Sequence, residues 1–325
     1  MNPIDARILA ALRSATLHQP ASDLASDVEE DAATVVGRIA ELRAAGFEIE
    51  DRPGFGFRLL TSPDRLIADD LVARLGPCAS VREVLVFEET ESTNEVALQV
   101  GRDGAAPGLV VFAERQTAGR GRFGRRWESA SHRGLWFSLL LRPELPLAQW
   151  SRLTTWCAVA VAACLERACD LRAEIKWPND VFIGGRKVAG TLIESGVDPS
   201  GRPFAVAGIG INVNQRADEF PPELAHKAGS LHSLTERVFD RTDLAVAILG
   251  DLNARDLSTT FPELVAEAAG RSLLLGRCVQ VHAGTTSIEG IAERLDEEGR
   301  LVLRLEDGSL RTLNAGEVTL AMQGG

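Results

Sequence analysis

The seven residues Leu135-Trp136-Phe137-Ser138-Leu139-Leu140-Leu141 carry no charge and stop before Pro143, so they read as a fully buried strand. A chain with such a strand has to build a core around a sheet. Leu109-Val110-Val111-Phe112-Ala113 reads as a second buried strand. Trp150 to Cys169 reads as a long helix, whose apolar stretch Ala158–Leu165 is too short to span a bilayer. Strand patterns dominate from there through Asn214. Helices are expected from Thr242 to about Arg255, near Pro262–Ala269 and from Asp64 to Leu75, and a strand from Glu83. At 325 residues the chain is long enough for two or three domains.

Both flanks have a different texture. Near the N-terminus, Ile4, Ile8, Leu9 and Leu12 are spaced for one helix face, and Ser22 to Val28 gives a second helix. Ala32 to Ala45 gives a third, with Val35, Val36, Ile39 and Leu42 inward and Gly46 as its stop. Two strand patterns around Arg52-Pro53-Gly54 then make a hairpin, and three helices plus a hairpin predict a winged helix-turn-helix. Its charge opposes DNA binding: six arginines face ten acids, and Asp27, Glu29, Glu30 and Asp31 gather where the third helix begins. From Arg271, four short strands around Val279–Val281, Ile288–Ile291, Leu301–Leu303 and Arg311–Leu313, with turns at Gly284, Gly299 and Gly308, predict a small all-β barrel.

The net charge of −11 argues against whole-surface attraction to nucleic acid or anionic membrane. Against that background one segment stands out. Arg115-Gln116-Thr117-Ala118-Gly119-Arg120-Gly121-Arg122-Phe123-Gly124-Arg125-Arg126-Trp127 holds five arginines, three glycines and no acid. Such a loop calls for an anionic partner: glycine lets backbone N–H groups close on a ligand, and the arginine fork matches phosphate. Arg/Gly segments also occur as nonspecific RNA binders, but those usually repeat in disordered tails. Five scattered cysteines, none in a C-x-x-C pair, read as reduced thiols, and no metal ligand set is expected from the protein. Asp5 and Arg7 within an amphipathic pattern do not fit a signal peptide, so the cytoplasm is the default location.

Lysine is scarce, only Lys176, Lys187 and Lys227, and two of the three lie together. Gly184-Gly185 between strand-like runs is a two-residue hairpin turn. In that register Ile183 faces Arg186, Phe182 faces Lys187 and Asp180 faces Ala189, which brings Asp180 and Lys187 within diagonal reach. A lysine beside a carboxylate near the arginine loop points to charge stabilisation at a reacting carboxylate or phosphate, although a surface ion pair has the same signature. Ser92 with Glu95 reads as a capping box at a helix start. The glycines of Gly208-Ile209-Gly210-Ile211-Asn212 permit close approach of a ligand to the backbone.

Four motifs in this order resemble the biotin–protein ligases: Gly119-Arg120-Gly121-Arg122-x-Gly124-Arg125-x-Trp127, Lys176-Trp177-Pro178-Asn179-Asp180, Lys187-Val188-Ala189-Gly190-x-Leu192-x-Glu194 and Gly208-x-Gly210-Ile211-Asn212. With both flanks the chain resembles the bifunctional form, ligase plus repressor of biotin-synthesis genes. The resemblance implies an α+β protein with a winged helix-turn-helix over residues 1–62, a central mixed-sheet α/β catalytic domain of the biotin/lipoate ligase type over 63–270, and an SH3-like barrel over 271–325. It implies that biotin and Mg-ATP give biotinyl-adenylate, and that a lysine of a biotin carboxyl carrier protein of acetyl-CoA carboxylase then takes the biotinyl group. By motif, Ser92, Thr93, Asn94 and Gln116 resemble contacts around the biotin head group. Gly119, Arg120, Gly121 and Arg122 resemble the loop that closes on biotin and phosphate, and Lys187 resembles the lysine that holds the carboxylate and the adenylate phosphate. Asn212 falls by the adenine, Lys176, Asn179 and Gly190 complete the binding set, and Asp180 positions the metal or the incoming lysine. Phe123 stands where the family often carries a basic residue. The resemblance further implies operator DNA as a partner of residues 1–62 and homodimers promoted by the adenylate. Two rivals stay open: a lipoate–protein ligase, and a biotin-sensing transcription regulator with little ligase activity.

Overall fold

A computed structural model of the chain describes residues 2–257, 260–283, 286–314 and 316–320. The N-terminal segment folds as α1 (Pro3–Ser14), α2 (Ala21–Val28), α3 (Ala32–Ala44), β1 (Glu48–Arg52) and β2 (Gly56–Thr61). Each helix starts or stops for a local reason. Asn2 caps α1 by accepting from Ile4 N at 3.0 Å, Asp31 caps α3 by accepting from Thr34 N at 2.7 Å, and Gly46 ends α3 with φ +103°. Ile8, Leu9, Leu12, Leu24, Val35, Ile39 and Leu42 form a core with Phe47, Ile49 and Phe57 of the hairpin. Val36 departs from the expected inward set: it lies 48% exposed, one residue round the helix from buried Val35.

The next helix, α4 (Ala68–Leu75), starts four residues later than the sequence pattern indicated. It leads into a seven-stranded sheet built from β3 (Glu83–Thr90), β4 (Leu109–Gln116), β5 (Gly134–Leu141), β6 (Ala173–Lys176), β7 (Asp180–Ile183), β8 (Arg186–Val197) and β9 (Pro203–Asn212). The spatial order is β3-β4-β5-β9-β8-β7-β6. β3 and β4 are parallel, and every other pair is antiparallel, so the sheet is mixed. One face is covered by α6 (Arg152–Cys169), α8 (Arg241–Ala254) and α9 (Phe261–Gly270), and the short α7 (Leu231–Thr235) adds Leu231 to the same core. The Ala/Val/Cys run of α6 is buried throughout, as small side chains allow close contact with the strands. Among the described helices α5 (Thr93–Arg102) alone packs on the other face, against Val111, Leu140, Phe204 and Val206. The remainder of that second face is where the site lies.

The C-terminal segment is a five-stranded antiparallel sheet of β10 (Cys278–Ala283), β11 (Thr286–Leu295), β12 (Leu301–Arg304), β13 (Leu310–Leu313) and β14 (Glu317–Leu320), ordered β13-β12-β11-β10-β14. Four strands were expected; β14 pairs with β10 through contacts that its own short sequence does not advertise. The expected turn at Gly284 lies outside the described residues. This sheet is fastened to the central one: Trp177 sits in its core and donates from Nε1 to Gly299 O at 3.0 Å, and Ile175 bridges to Ser272.

Candidate active site

The bare part of the second face is a floor of glycine. Gly190 of β8 pairs with Gly210 of β9, which pairs in turn with Trp136 of β5, while Gly208 lies opposite Ser138. A Cβ on Gly208 would stand 2.1 Å from Asn94 Oδ1, and one on Gly210 would stand 2.6 Å from the ring of Trp127. The glycines therefore do more than admit a ligand, because two of the chain's own side chains lie on them.

At one end of the floor is a polar cluster. Ser138 Oγ lies 2.6 Å from Asn94 Oδ1 and 2.7 Å from Thr93 Oγ1. Asn94 Nδ2 donates to Glu194 at 2.7 Å, and Gln116 Nε2 donates to Ser129 Oγ at 3.1 Å. Ser92, Thr93 and Asn94 are all buried at the start of α5. Ser92 is the N-cap residue of α5 but makes no capping hydrogen bond, so the expected capping box does not form. Gln116 supplies the cap instead, its Oε1 accepting from Thr93 N at 2.9 Å. Ser138 and Ser129 were not among the expected site residues. Ser138 did leave a signal, as the one hydroxyl in an otherwise apolar strand.

At the other end is the β7–β8 hairpin. Gly184 and Gly185 turn it with φ of +58° and +76°, as a two-residue turn requires. The expected contact forms, with Lys187 Nζ 2.7 Å from Asp180 Oδ1. The expected register does not persist, because a bulge between Val181 and Phe182 makes Asp180 face Gly190, and Ala189 pairs with Val181 on the core side. Lys187 lies 5.3 Å from the Trp127 ring centroid, so the ammonium, the indole and the glycine floor adjoin. Asn179 Nδ2 donates to Asp180 Oδ1 at 3.0 Å and to Thr191 O at 2.9 Å, which orients the carboxylate. Lys176 is half-buried near Asp180 and over Phe182, and burial pushes its ammonium below the ordinary 10.5.

The arginine loop closes over this floor. Gly119 O accepts from Trp127 N at 2.9 Å and Gly121 N donates to Arg125 O at 2.7 Å, so the loop folds back on itself. Its positive charge is largely answered from within the chain. Arg115 pairs with Glu89, Arg120 with Glu95 and Glu194, Arg125 with Glu317 of β14, and Arg126 with Glu128. That corrects the expectation that the loop needs an outside anion to balance it. Arg122 differs: it donates to Asn179 Oδ1 at 2.9 Å, and among the described residues it has no ion pair. Burial pushes its guanidinium below the ordinary value. Phe123 is 62% exposed with φ +57° and stacks under Arg122 at 4.9 Å.

Asn212 is buried beyond the floor, donating to Gly229 O at 3.0 Å and accepting from Gln215 Nε2 at 3.2 Å, so its amide braces the loop that follows β9. Among the described residues no three His, Cys, Asp or Glu side chains gather to hold a metal. Asp180 and Glu194 are each committed to a cation, so these donors do not fit a metal held by the protein itself. No described helix is long and apolar enough to cross a membrane.

Residues 86–214 match the biotin/lipoate A/B protein ligase family, and residues 274–320 match the biotin protein ligase C-terminal domain. The chain is 33% identical over 280 residues to the bifunctional ligase/repressor BirA of Bacillus subtilis, covering 85% of this chain and 86% of that one. It is 35% identical over 263 residues to the biotin–[acetyl-CoA-carboxylase] ligase of Mycobacterium tuberculosis, covering 78% and 94%. The biotin protein ligase of Aquifex aeolicus, solved with biotin and ATP, superposes with a TM-score of 0.63 at 31% identity, covering 74% of this chain and 99% of that one. A glycine floor bounded by an amide–hydroxyl cluster, a lysine and an arginine loop thus sits in a chain that belongs to the biotin protein ligase family.

Proposed function

We propose that this chain condenses biotin with ATP to biotinyl-5′-adenylate, releasing pyrophosphate, and then passes the biotinyl group to a lysine of the carboxyl carrier protein of acetyl-CoA carboxylase. The observation that carries the reading is that Lys187, Trp127 and the arginine loop meet over one glycine floor whose far end is polar. A molecule with a polar ring at one end and a carboxylate at the other fits that polarity. Thr93, Asn94, Gln116 and Ser138 would meet the ring, and Lys187 and Arg122 the carboxylate and the α-phosphate. As the carboxylate oxygen attacks phosphorus, charge builds on the phosphoryl oxygens, where a fixed ammonium and guanidinium lower the barrier most. Asp180, 2.7 Å from Lys187, holds that lysine in place, and is placed to receive the proton of the incoming amine. Magnesium enters as part of the nucleotide substrate, carried by its phosphates.

The test is incubation with biotin, Mg-ATP and an unmodified carrier domain, read by intact mass. One added biotinyl group on the carrier supports the reading. A carrier that stays unmodified with biotin but gains a lipoyl group when lipoate replaces it would overturn the reading in favour of a lipoate ligase.

For residues 1–62 we propose a winged helix-turn-helix whose single copy holds DNA weakly. The exposed residues of α3 are mostly small or apolar, Ala32, Ala33, Val36, Gly37, Ala40 and Ala44, with Glu41 and Arg43 beside them, and its arginines are engaged within the chain: Arg38 pairs with Asp5 and Glu41, and Arg43 donates to Ile49 O at 2.9 Å. Titration of operator fragments from biotin-synthesis genes, with and without biotinyl-adenylate, tests this. Tight, sequence-specific binding by a single copy would overturn it.

A further inference from the structure

The loop of residues 117–133 leaves β4 and returns to β5, and one guanidinium holds both stems. Arg241, the first residue of α8, is 1% exposed. Its Nη1 donates to Glu114 Oε2 at 2.5 Å and to Gly134 O at 3.2 Å. Its Nη2 donates to Glu114 Oε1 at 3.2 Å and to Asp64 O at 3.1 Å, and its Nε donates to Asp64 Oδ1 at 3.0 Å. Glu114, also 1% exposed, accepts from Leu66 N at 2.7 Å through Oε1, and its Oε2 lies 3.4 Å from His132 Nδ1. The three segments so joined are the outgoing stem, the return stem and the chain that comes from the N-terminal helices. A second clamp sets the arginine itself. Asn214 exchanges two hydrogen bonds with Phe239, at 2.9 and 3.0 Å, and its N–H donates to Arg133 O at 2.6 Å.

A buried ion pair adds little net stability over a well-packed apolar pair of the same shape. What a planar fork of five donors supplies is fixed geometry. We propose that Arg241 is a positioning residue for the ligand loop: it fixes the spacing of the two stems, and with them the height at which Arg120, Arg122 and Trp127 close over the floor. The proposal rests on the biotin ligase reading, since it assigns that loop to biotin and adenylate.

The experiment compares the full native chain with Arg241→Lys, which keeps the charge on Glu114 but cannot reach all three segments at once. Biotin KM and kcat for pyrophosphate release are measured, together with hydrogen exchange across residues 117–133. In Arg241→Lys the expected result is a biotin KM raised about tenfold or more, since loop misplacement of an ångström weakens binding and reaction on this scale. Loop amides should exchange about tenfold faster while those of β10 to β14 keep native rates. Transfer of biotin from supplied biotinyl-adenylate to the carrier, at saturating adenylate, should keep its kcat. A folded Arg241→Lys chain with native KM and native loop exchange overturns the proposal. Should that variant not fold, Glu114→Gln decides by the same readouts, because its amide NH2 must face either Leu66 N–H or the guanidinium, donor against donor. A native chain that releases no pyrophosphate defeats the ligase reading instead, and the exchange measurement still judges the clamp.

Discussion

Gly208→Ala tests the floor directly. The added Cβ would stand 2.1 Å from Asn94 Oδ1 and 2.8 Å from its Cγ, about 1.3 Å inside the ordinary contact of 3.4 Å. Asn94 has no free space to retreat into: it is 4% exposed, hydrogen-bonded to Glu194 at 2.7 Å and to Ser138 at 2.6 Å. Expelling it leaves the fully buried Ser138 hydroxyl with Thr93 alone and gives up the Glu194 bond, which Arg120 and water partly replace. Two disturbed buried hydrogen bonds at about 1–3 kcal/mol each, with that partial replacement, come to about 2–4 kcal/mol of lost stability. The same displacement removes the amide proposed to meet the biotin ring, so biotin KM should rise about tenfold, equivalent to about 1.4 kcal/mol. Thermal melting and biotin titration of pyrophosphate release read the two effects. Gly250→Ala is the control: nothing lies within 4 Å of a Cβ there, and in the middle of α8 the change should stabilise by about 0.5–1 kcal/mol. A Gly208→Ala chain that melts with the native protein and keeps its biotin KM would refute the claim that Asn94 occupies that space for a purpose.

Replacing Lys187 by Ala should slow pyrophosphate release by about 10²–10³, the usual effect of removing one fixed charge from a developing oxyanion, and unchanged release would disprove its assignment. Glu317 is held below the ordinary glutamate value of 4.5, first by its hydrogen bond from Arg125, so the contact between loop and β14 should hold at neutral pH and be lost as pH falls below that value. Trp fluorescence should follow that loss in the native chain, whereas Glu317→Gln should show no such acid transition. Burial pushes the Cys157 thiol up to about 12 and the Cys164 thiol up to about 11, so alkylation of the folded chain near pH 8 should spare both while reaching Cys78. Early loss of the Cys157 thiol in a peptide map would contradict its placement in the core.

Elements with a strong period were legible because burial acts residue by residue. Leu135–Leu141, the α6 run and the N-terminal helices all lie where their apolar spacing put them. The Lys187–Asp180 contact was legible too, since a Gly-Gly turn fixes the first cross-strand pairs. The error began two pairs further on. Val188 and Ala189 are adjacent and both buried, which alternation forbids without a bulge, and that break in the pattern was the missed clue. Contacts across long sequence separations left no trace. The cap on α5 comes from Gln116, Arg120 pairs with Glu194 as well as Glu95, and Arg125 pairs with Glu317 of the C-terminal sheet, all supplied by the tertiary arrangement and not by any local rule.

The charge pattern around the floor decides how an anion enters. A ligand phosphate arriving at Arg120 or Arg125 must displace a carboxylate that is already bonded, so it gains only the difference between two anions. At Arg122 no such exchange is needed. Its guanidinium is half-buried, remains charged at any physiological pH, and among the described residues is hydrogen-bonded only to the neutral oxygen of Asn179. Asp180 and Glu317 ease its desolvation from a distance, but neither forms an ion pair with it. A phosphate that reaches Arg122 therefore receives a cation whose burial is only partly compensated, and from there Asn179 and Asp180 lead directly to Lys187. With Arg122 and Lys187 in the roles proposed for them, the gain from binding is concentrated where the anhydride bond would form, which is what selective stabilisation of the reacting phosphate over the rest of the nucleotide requires.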